Sequence, residues 1–223
     1  MAINNDGSKQ GAQYFSHTVM SEKVKEYLIE TIMMGHFKPG DRIVESTLAR
    51  QLNISQAPVR EAIRDLVVMG FLKTEPYKGI SVRSFTAEEL FEVYTVRVIL
   101  ESFAGRLAAE RMTEDAEQAL RNLLNAMIEA AEEKNLDRLT RLDNDFHETI
   151  IEIAGNKLIL HLWQNLRFGY YTIIRARISK YDSNELTKRN KELLDALKTH
   201  DSDRAEKVMR KHIEDLGKPI HLQ

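Results

Sequence analysis

Residues 45–83 read ESTLARQLNISQAPVREAIRDLVVMGFLKTEPYKGISVR, and this stretch decides the fold of the N-terminal part of the chain. Apolar residues recur at helical spacing on both sides of a four-residue break, 53–56. The inward positions are Leu48, Ala49 and Leu52 before the break and Val59, Ala62, Ile63, Leu66 and Val67 after it. Two short strands, 72–75 and 80–83, then flank a turn at 76–79. This order predicts a winged helix-turn-helix.

A further helix is predicted upstream of this stretch. Its apolar positions are Val24, Tyr27, Leu28 and Ile32, and Gly35 is typical of a helix end. The first 14 residues are polar and lack the apolar run of a signal peptide. We therefore expect a polar N-terminal arm over residues 1–14, a winged helix-turn-helix domain over 15–84 and a separate domain over 85–223.

The second domain is predicted to be all helical, because residues 85–218 contain no proline. Thr86 and Glu89 form the sequence pattern of a capping box at the start of its first helix. Helices are expected over 87–111, 114–133, 135–154, 157–180, 183–199 and 202–216. Six helices joined by short turns predict an antiparallel bundle, and the fold class is mostly α.

Composition excludes several classes of protein. The chain has no cysteine, so disulfides, iron–sulfur clusters and thiol catalysis are excluded. No run of 18 apolar residues occurs, so we expect a cytoplasmic protein with no membrane partner. The net charge of −2 argues neither for nor against nucleic acid.

The helix after the break carries a candidate DNA-reading face. Gln56, Arg60 and Arg64 are spaced by four residues and therefore share one face, opposite the apolar stripe. In a major groove, Arg can bind guanine and Gln can bind adenine in bidentate fashion. Lys78 and Gly79 at the hairpin tip could reach the DNA backbone. Ser55 is the predicted N-cap of this helix. The alternatives to DNA reading are a solvated amphipathic helix and, for residues 76–79, an ordinary surface turn.

The helical domain places polar side chains at core-facing positions. These are Asp143 and His147 on one predicted helix, Asn190 on another and His212 on the last. Buried polar groups need partners, so these four are expected to meet one another or a ligand. Two imidazoles, a carboxylate and an amide oxygen are a candidate first shell for Zn²⁺, Ni²⁺ or Mn²⁺. The alternative is a satisfied cluster in which Asp143 bonds His147 and the other two bond backbone.

Arg97 and Glu101 are four residues apart on the first helix of this domain. An intrahelical ion pair is one interpretation. In the other, Arg97 and Asn190 bind a small-molecule effector, with the guanidinium receiving a carboxylate. Tyr170, Tyr171 and Arg175 are further candidates for lining such a cavity.

The motifs GHFKPGD (35–41), LARQL (48–52) and SQAPVREAI (55–63) resemble the N-terminal domain of GntR-family transcription regulators. The resemblance implies that Ser55, Gln56 and Arg60 face the operator and that Lys78 and Gly79 form the wing. Ala57 stands where family members usually have Thr.

Residues 85–216 resemble the all-helical effector (FCD) domain of the FadR-type subfamily, and six helices are similar to its VanR-like branch. That resemblance implies small organic acids as effectors and, in many members, a divalent metal held by one Asp and three His. Asn190 stands at the position of the middle His.

Together these observations predict a homodimeric, ligand-responsive transcription regulator, most simply a repressor, that binds a pseudo-palindromic operator. It is not expected to be an enzyme. The alternatives are a helical metal-dependent hydrolase and a DNA-binding module whose helical domain only dimerises. Against the hydrolase, the chain lacks a His-Glu-x-x-His motif, a nucleophile elbow and a phosphate loop.

Overall fold

The structure is a computed structural model that describes residues 6–166 and 183–217, with side chains over 19–166 and 183–215. The chain divides into two compact units, Met1–Ser84 and Phe85–Gln223. Helices dominate both units, and a three-stranded sheet lies in the first. The prediction of a mostly α protein is confirmed. Within the described residues, no helix combines the length and the apolar character that crossing a membrane requires.

The first unit is a winged helix-turn-helix. Its elements are α1 (Asp6–Met33), β1 (Arg42–Ile43), α2 (Glu45–Gln51), α3 (Gln56–Val68), β2 (Leu72–Glu75) and β3 (Gly79–Val82). Strand β3 lies in the middle of the sheet and pairs antiparallel with both neighbours, so that Ile80 lies opposite Ile43 on one side and Thr74 on the other.

Two features of this unit differ from the sequence prediction. Strand β1 was not predicted, because two residues are too short to show the alternation that marks a strand. Helix α1 begins at Asp6 and so includes most of the predicted polar arm.

The apolar side of α3 packs into the core of the first unit. Three helices, the sheet and the segment that joins α3 to β2 contribute fully or nearly fully buried side chains: Val24, Leu28, Ile32, Leu48, Val59, Ala62, Ile63, Leu66, Phe71, Leu72 and Val82. Ser55 is the residue before α3, but its side chain makes no capping hydrogen bond. Ser55 is therefore the N-cap residue, as predicted, but its side chain does not accept the expected hydrogen bond from a backbone amide of α3. The opposite side of α3 faces solvent.

The second unit is a helical bundle. Its elements are α4 (Ala87–Glu110), α5 (Glu114–Glu132), α6 (Leu136–Ile153), α7 (described over 157–166), α8 (Ser183–Leu197) and α9 (Ser202–Gly217). The predicted capping box is confirmed: the Thr86 side chain accepts from the Glu89 amide, and the Glu89 carboxylate accepts from the Thr86 amide. The second half of the predicted helix 157–180, with Tyr170, Tyr171 and Arg175, lies outside the described residues.

The core of the second unit is apolar except at its centre. Met127, Leu139, Phe146, Ile150, Trp163 and Leu193 are among its fully buried side chains. Ionisable and amide side chains lie at the same depth, among them Arg97, Glu101, Asp143, His147 and Asn190, with His212 almost as deep. Burying this many polar groups is costly unless they bond one another or a ligand. This buried polar cluster is the candidate site of the second unit.

Candidate functional sites

The exposed side of α3 carries the residues predicted to read DNA. Gln56, Arg60 and Arg64 are all exposed, whereas Val59, Ala62 and Ile63 are buried on the other side. Arg60 Nε donates a hydrogen bond to Glu45 Oε2 at 3.1 Å, which ties α3 to α2. Sequence reasoning did not identify Glu45, because the two residues are 15 positions apart and periodicity does not say which residues of two packed helices meet.

The hairpin of β2 and β3 presents a basic tip. Lys78 is 79% exposed, and its ammonium lies 3.3 Å from Glu75 Oε2. Hydrogen bonds from Lys73 and then Lys78 hold the pKa of the Glu75 carboxyl below its usual value. Gly79 adopts a φ of +84°, a conformation that favours glycine. The Arg42 guanidinium lies beside Gly79, 3.4 Å from the position a Cβ would take, so a second cation sits next to the wing.

His147 on α6 bridges the buried polar cluster. Its Nδ1 lies 2.7 Å from Glu101 Oε2, and its Nε2 lies 3.2 Å from Nε2 of His212 on α9. The Asp143 carboxylate, one turn earlier on α6, approaches the His147 Nε2 only to 4.0 Å. The expected contact between Asp143 and His147 is therefore a long one, and His147 makes shorter contacts with Glu101 and His212 on two other helices.

Glu101 on α4 is the anionic centre of the cluster. It forms the predicted ion pair with Arg97 one turn earlier, and it also accepts from Trp163 Nε1 at 3.0 Å. Burial raises the pKa of the Glu101 carboxyl, but Arg97, His147 and the hydrogen bond from Trp163 together bring it below its usual value. Glu101 is thus ionised, and Arg97 lies over the Trp163 ring at 5.3 Å. The sequence pattern gave no signal for the contact between Glu101 and His147, which are 46 positions apart.

Asn190 on α8 closes the cluster on its other side. Its amide nitrogen donates to Asp143 Oδ1 at 2.7 Å and also faces the Met127 sulfur at 3.5 Å. Because the amide nitrogen donates and the amide oxygen accepts, this bond leaves the Asn190 oxygen on the side away from Asp143 Oδ1. Within the described part of the chain, the Asn190 Oδ1 and the His212 Nδ1 have no hydrogen-bond partner although both are buried.

The predicted metal centre involves the two imidazoles of the cluster. Its two Nε2 atoms are separated by 3.2 Å, close to the roughly 3.3 Å expected between two imidazole ligands of one tetrahedral zinc ion. The nearby Asp143 Oδ1 accepts a hydrogen bond from the amino group of Asn190. Among the residues that the structure describes, no three His, Cys, Asp or Glu side chains are grouped so as to hold a metal ion. The Zn, Ni or Mn cofactor therefore stays a prediction.

A groove between α8 and α9 leads to this cluster. Its volume is about 530 Å³, and His212 forms part of its wall. Three cationic side chains line it, Arg189, Arg204 and Lys211, together with the carboxylates of Glu185, Glu192, Asp195 and Asp215. Arg189 also donates to the His212 backbone carbonyl, which joins the rim of the groove to the helix that carries the imidazole. The groove is wide enough for a small organic molecule.

Comparison with known families matches both units. The model described as "Bacterial regulatory proteins, gntR family" covers residues 20–82, and the model of the FCD domain covers residues 92–215. The FCD match alone spans more than half of the chain, so this protein belongs to the gntR family of bacterial regulatory proteins with an FCD domain.

Curated relatives agree with this assignment. The chain is 30% identical over 198 residues to the probable D-xylose utilization operon transcriptional repressor of Paenarthrobacter nicotinovorans, covering 89% of this chain and 87% of the relative. It is 38% identical over 146 residues to the Nta operon transcriptional regulator of Aminobacter aminovorans, covering 64% and 69%. These relatives are transcription regulators, and the chain is accordingly a ligand-responsive, DNA-binding transcription regulator and not an enzyme.

Solved structures share the fold. McbR/YncC of E. coli superposes with a TM-score of 0.79 at 24% identity, covering 92% of this chain and 98% of that chain. A GntR regulator from Rhodococcus sp. RHA1 gives the same TM-score at 22% identity and the same coverage. The hydrolase alternative finds no support among these proteins.

Proposed function

We propose that this protein is a homodimeric repressor that leaves its operator when a small hydroxy-carboxylic acid binds in the buried polar cluster. The observation that carries the ligand class is a pair of buried polar atoms, Asn190 Oδ1 and His212 Nδ1, that have no hydrogen-bond partner among the residues the structure describes. Leaving such an atom unbonded costs about 1–3 kcal/mol, so a ligand that bonds to it gains affinity.

The chemistry of the cluster selects the functional groups of the ligand. Asn190 Oδ1 is an acceptor, so it requires a donor such as a hydroxyl. Arg97 supplies a buried guanidinium whose fork geometry suits a carboxylate, and Glu101 keeps this charge compensated while the ligand is absent. A metal ion is not needed for either contact. An acid with one or more hydroxyl groups satisfies both residues at once.

The homodimer is supported by an apolar strip on α4. Val96, Ile99 and Phe103 are spaced by three and four residues and are all exposed, with Ile99 at 64%. Neighbouring apolar side chains on one exposed helix face are typical of a protein interface. Two copies joined in this way would present two α3 helices, which fits a pseudo-palindromic operator with Ser55, Gln56, Arg60 and Arg64 toward the bases and Lys78 and Gly79 toward the backbone.

Effector control requires that the ligand bind the DNA-free form more tightly than the DNA-bound form, because a ligand shifts an equilibrium only by its differential affinity. A coupling of tenfold or more in operator affinity corresponds to about 1.4 kcal/mol. This is well within the range that buried hydrogen bonds supply.

The test is fluorescence anisotropy of a labelled duplex from upstream of the protein's own gene, with excess random competitor. We expect tight binding that survives the competitor and that hydroxy acids weaken, whereas the matched acids without hydroxyl groups act more weakly. An acid series that leaves operator affinity unchanged, in the presence of clear specific binding, would overturn the effector part of the proposal and leave the DNA-binding part intact.

A further inference from the structure

The particular nitrogen of Arg60 that bonds to Glu45 matters for DNA recognition. Glu45 Oε2 accepts from Nε, the nitrogen nearest the aliphatic stem of Arg60, at 3.1 Å. Among the described residues Arg60 has no other hydrogen bond or ion pair. Its two terminal amino groups, Nη1 and Nη2, are therefore available, and the side chain is 51% exposed.

These two amino groups are the pair that binds guanine. A guanidinium carries five N–H donors in a rigid plane, and its terminal edge matches the O6 and N7 acceptors of guanine in the major groove. Holding Nε from the side fixes the plane of the guanidinium without occupying this edge. Glu45 thus orients Arg60 before any DNA is bound.

The other residues of the α3 face show that this arrangement is specific to Arg60. Arg64 is exposed one turn further along and makes no hydrogen bond or ion pair with any described residue. A free arginine must lose rotamer freedom, worth up to about 2 kcal/mol, when it takes one geometry. Arg64 consequently loses this freedom when it binds DNA, whereas Arg60 is already held in one geometry by Glu45.

A gain in overall DNA affinity does not explain why a carboxylate lies beside Arg60. A carboxylate beside a DNA-binding helix repels the phosphate backbone and lowers binding to any sequence. A surface ion pair of this kind contributes little to folding, about 0–1 kcal/mol. The hydrogen bond between Glu45 and Nε of Arg60 is consistent instead with better discrimination between DNA sequences.

We propose that Glu45 is a specificity-determining, positioning residue that acts through Arg60. The proposal rests on the proposed role of α3 in reading the operator. Removing Glu45 should weaken binding to the operator while leaving binding to random DNA unchanged or slightly stronger, because one repulsive charge is lost. Discrimination between the two should fall about tenfold, which is the lower end for one bidentate base contact.

The experiment uses the full-length protein and duplexes that the wild type selects from a random pool. Anisotropy gives Kd for the selected and for random duplexes with the wild type, Glu45→Ala, Glu45→Gln and Glu26→Gln. Glu26→Gln removes one exposed acidic group from α1 in the same unit and serves as the charge control. Glu45→Gln keeps an acceptor for Nε, and we expect it to recover part of the discrimination that Glu45→Ala loses.

The Arg60→Ala background separates orientation from direct contact. If Glu45 acts through Arg60, then Glu45→Ala causes no further loss of discrimination in Arg60→Ala. A loss that persists there, or an equal change in Kd for selected and random DNA, overturns the proposal. Equal melting temperatures of the single variants exclude unfolding as the cause. A wild type that selects no sequence refutes the operator role of α3 itself, which is a different result from unchanged discrimination in Glu45→Ala.

Discussion

The Nε2 atoms of His147 and His212 lie 3.2 Å apart between α6 and α9, and both rings are buried. At this separation one nitrogen must donate and the other accept, so the two rings cannot both be charged without strong repulsion. Burial, followed by the positive charges of His147, Arg189 and Arg97, holds the pKa of His212 well below its usual value of 6.5. The His212 imidazole is accordingly neutral.

This neutral imidazole predicts a loss of stability in mild acid. The folded-state pKa of His212 is depressed, so below pH 6.5 the unfolded chain binds a proton that the folded chain does not. The stabilisation is complete above pH 6.5 and is lost as the pH falls below it. Urea denaturation between pH 7.5 and 5.5 should show a steeper decline for wild type than for His212→Leu, by at most about 1.4 kcal/mol per pH unit. If the unfolding free energies of the two proteins depended on pH in the same way, this prediction would be wrong.

The Glu101 carboxyl titrates in a lower pH range than His212, so the effects of the two groups on stability can be measured separately. Its pKa lies below the usual value of 4.5, so its contribution is present above pH 4.5 and is lost only at more acidic pH. Measurements above pH 5.5 therefore report on the imidazoles and not on this carboxylate.

The buried ion pair of Arg97 and Glu101 predicts different behaviour for single and double variants. Arg97→Met alone leaves Glu101 buried and less compensated, and we expect a loss of about 3–5 kcal/mol in unfolding free energy. Arg97→Met with Glu101→Gln removes both charges, and its stability should be close to that of wild type. This double variant should nevertheless fail to bind hydroxy acids in calorimetry. Retained binding would show that Arg97 does not receive the carboxylate.

Trp163 supplies an independent readout of the same site. It is the only tryptophan of the chain, it is buried, and it contacts both members of the ion pair. Binding of a carboxylate at Arg97 should therefore change the intrinsic fluorescence, with a saturation curve that matches calorimetry. The double variant, titrated with the same acid, is the control and should give a flat trace.

Asn190 makes the metal prediction testable by substitution. Asn190→His would add a third imidazole opposite His147 and His212, completing the number of protein donors that an open zinc site uses. We expect zinc to raise the melting temperature of Asn190→His much more than that of wild type or of Asn190→Gln. At a zinc concentration 100 times Kd the stabilisation is about 2.7 kcal/mol. An equally large shift in wild type would mean that Asp143 and Asn190 rearrange to accept a metal.

The sequence predicted well which side of each helix is buried, but it predicted poorly which side chains contact one another. Helical spacing placed Gln56 and Arg60 on the exposed side of α3, and it placed Asp143 and His147 in the core. Whether Asp143 would bond His147 or Asn190 depends on how three helices pack, and side-chain periodicity holds no information on that. The local capping box at Thr86 was predictable because both its bonds lie within four residues.

The exposed strip on α4 predicts how the oligomeric state depends on one residue. Ile99 lies between Val96 and Phe103, so a charge there would be buried against the partner in a dimer. Ile99→Arg should shift the protein from dimer to monomer in light scattering and weaken operator binding with it. Lys157→Arg, with no change of charge, is the matched control. A dimeric Ile99→Arg protein would place the interface elsewhere.

Arg60 and Lys78 should differ in the kind of DNA binding that they support. Arg60 lies on the face that we propose enters the major groove, so Arg60→Ala should cost about 1–3 kcal/mol on the operator and relax the preference for one base pair. Lys78 lies at the wing tip, so Lys78→Ala should weaken binding to all sequences alike and reduce the slope of log K against log salt by about one. Anisotropy over a salt series, on operator and random duplexes, measures both quantities. The salt slope of Arg60→Ala on random DNA serves as the internal comparison, since a residue that contacts a base contributes little to non-specific binding. If Lys78→Ala instead changed the preferred sequence, the wing would be reading bases and not only positioning the protein on the backbone.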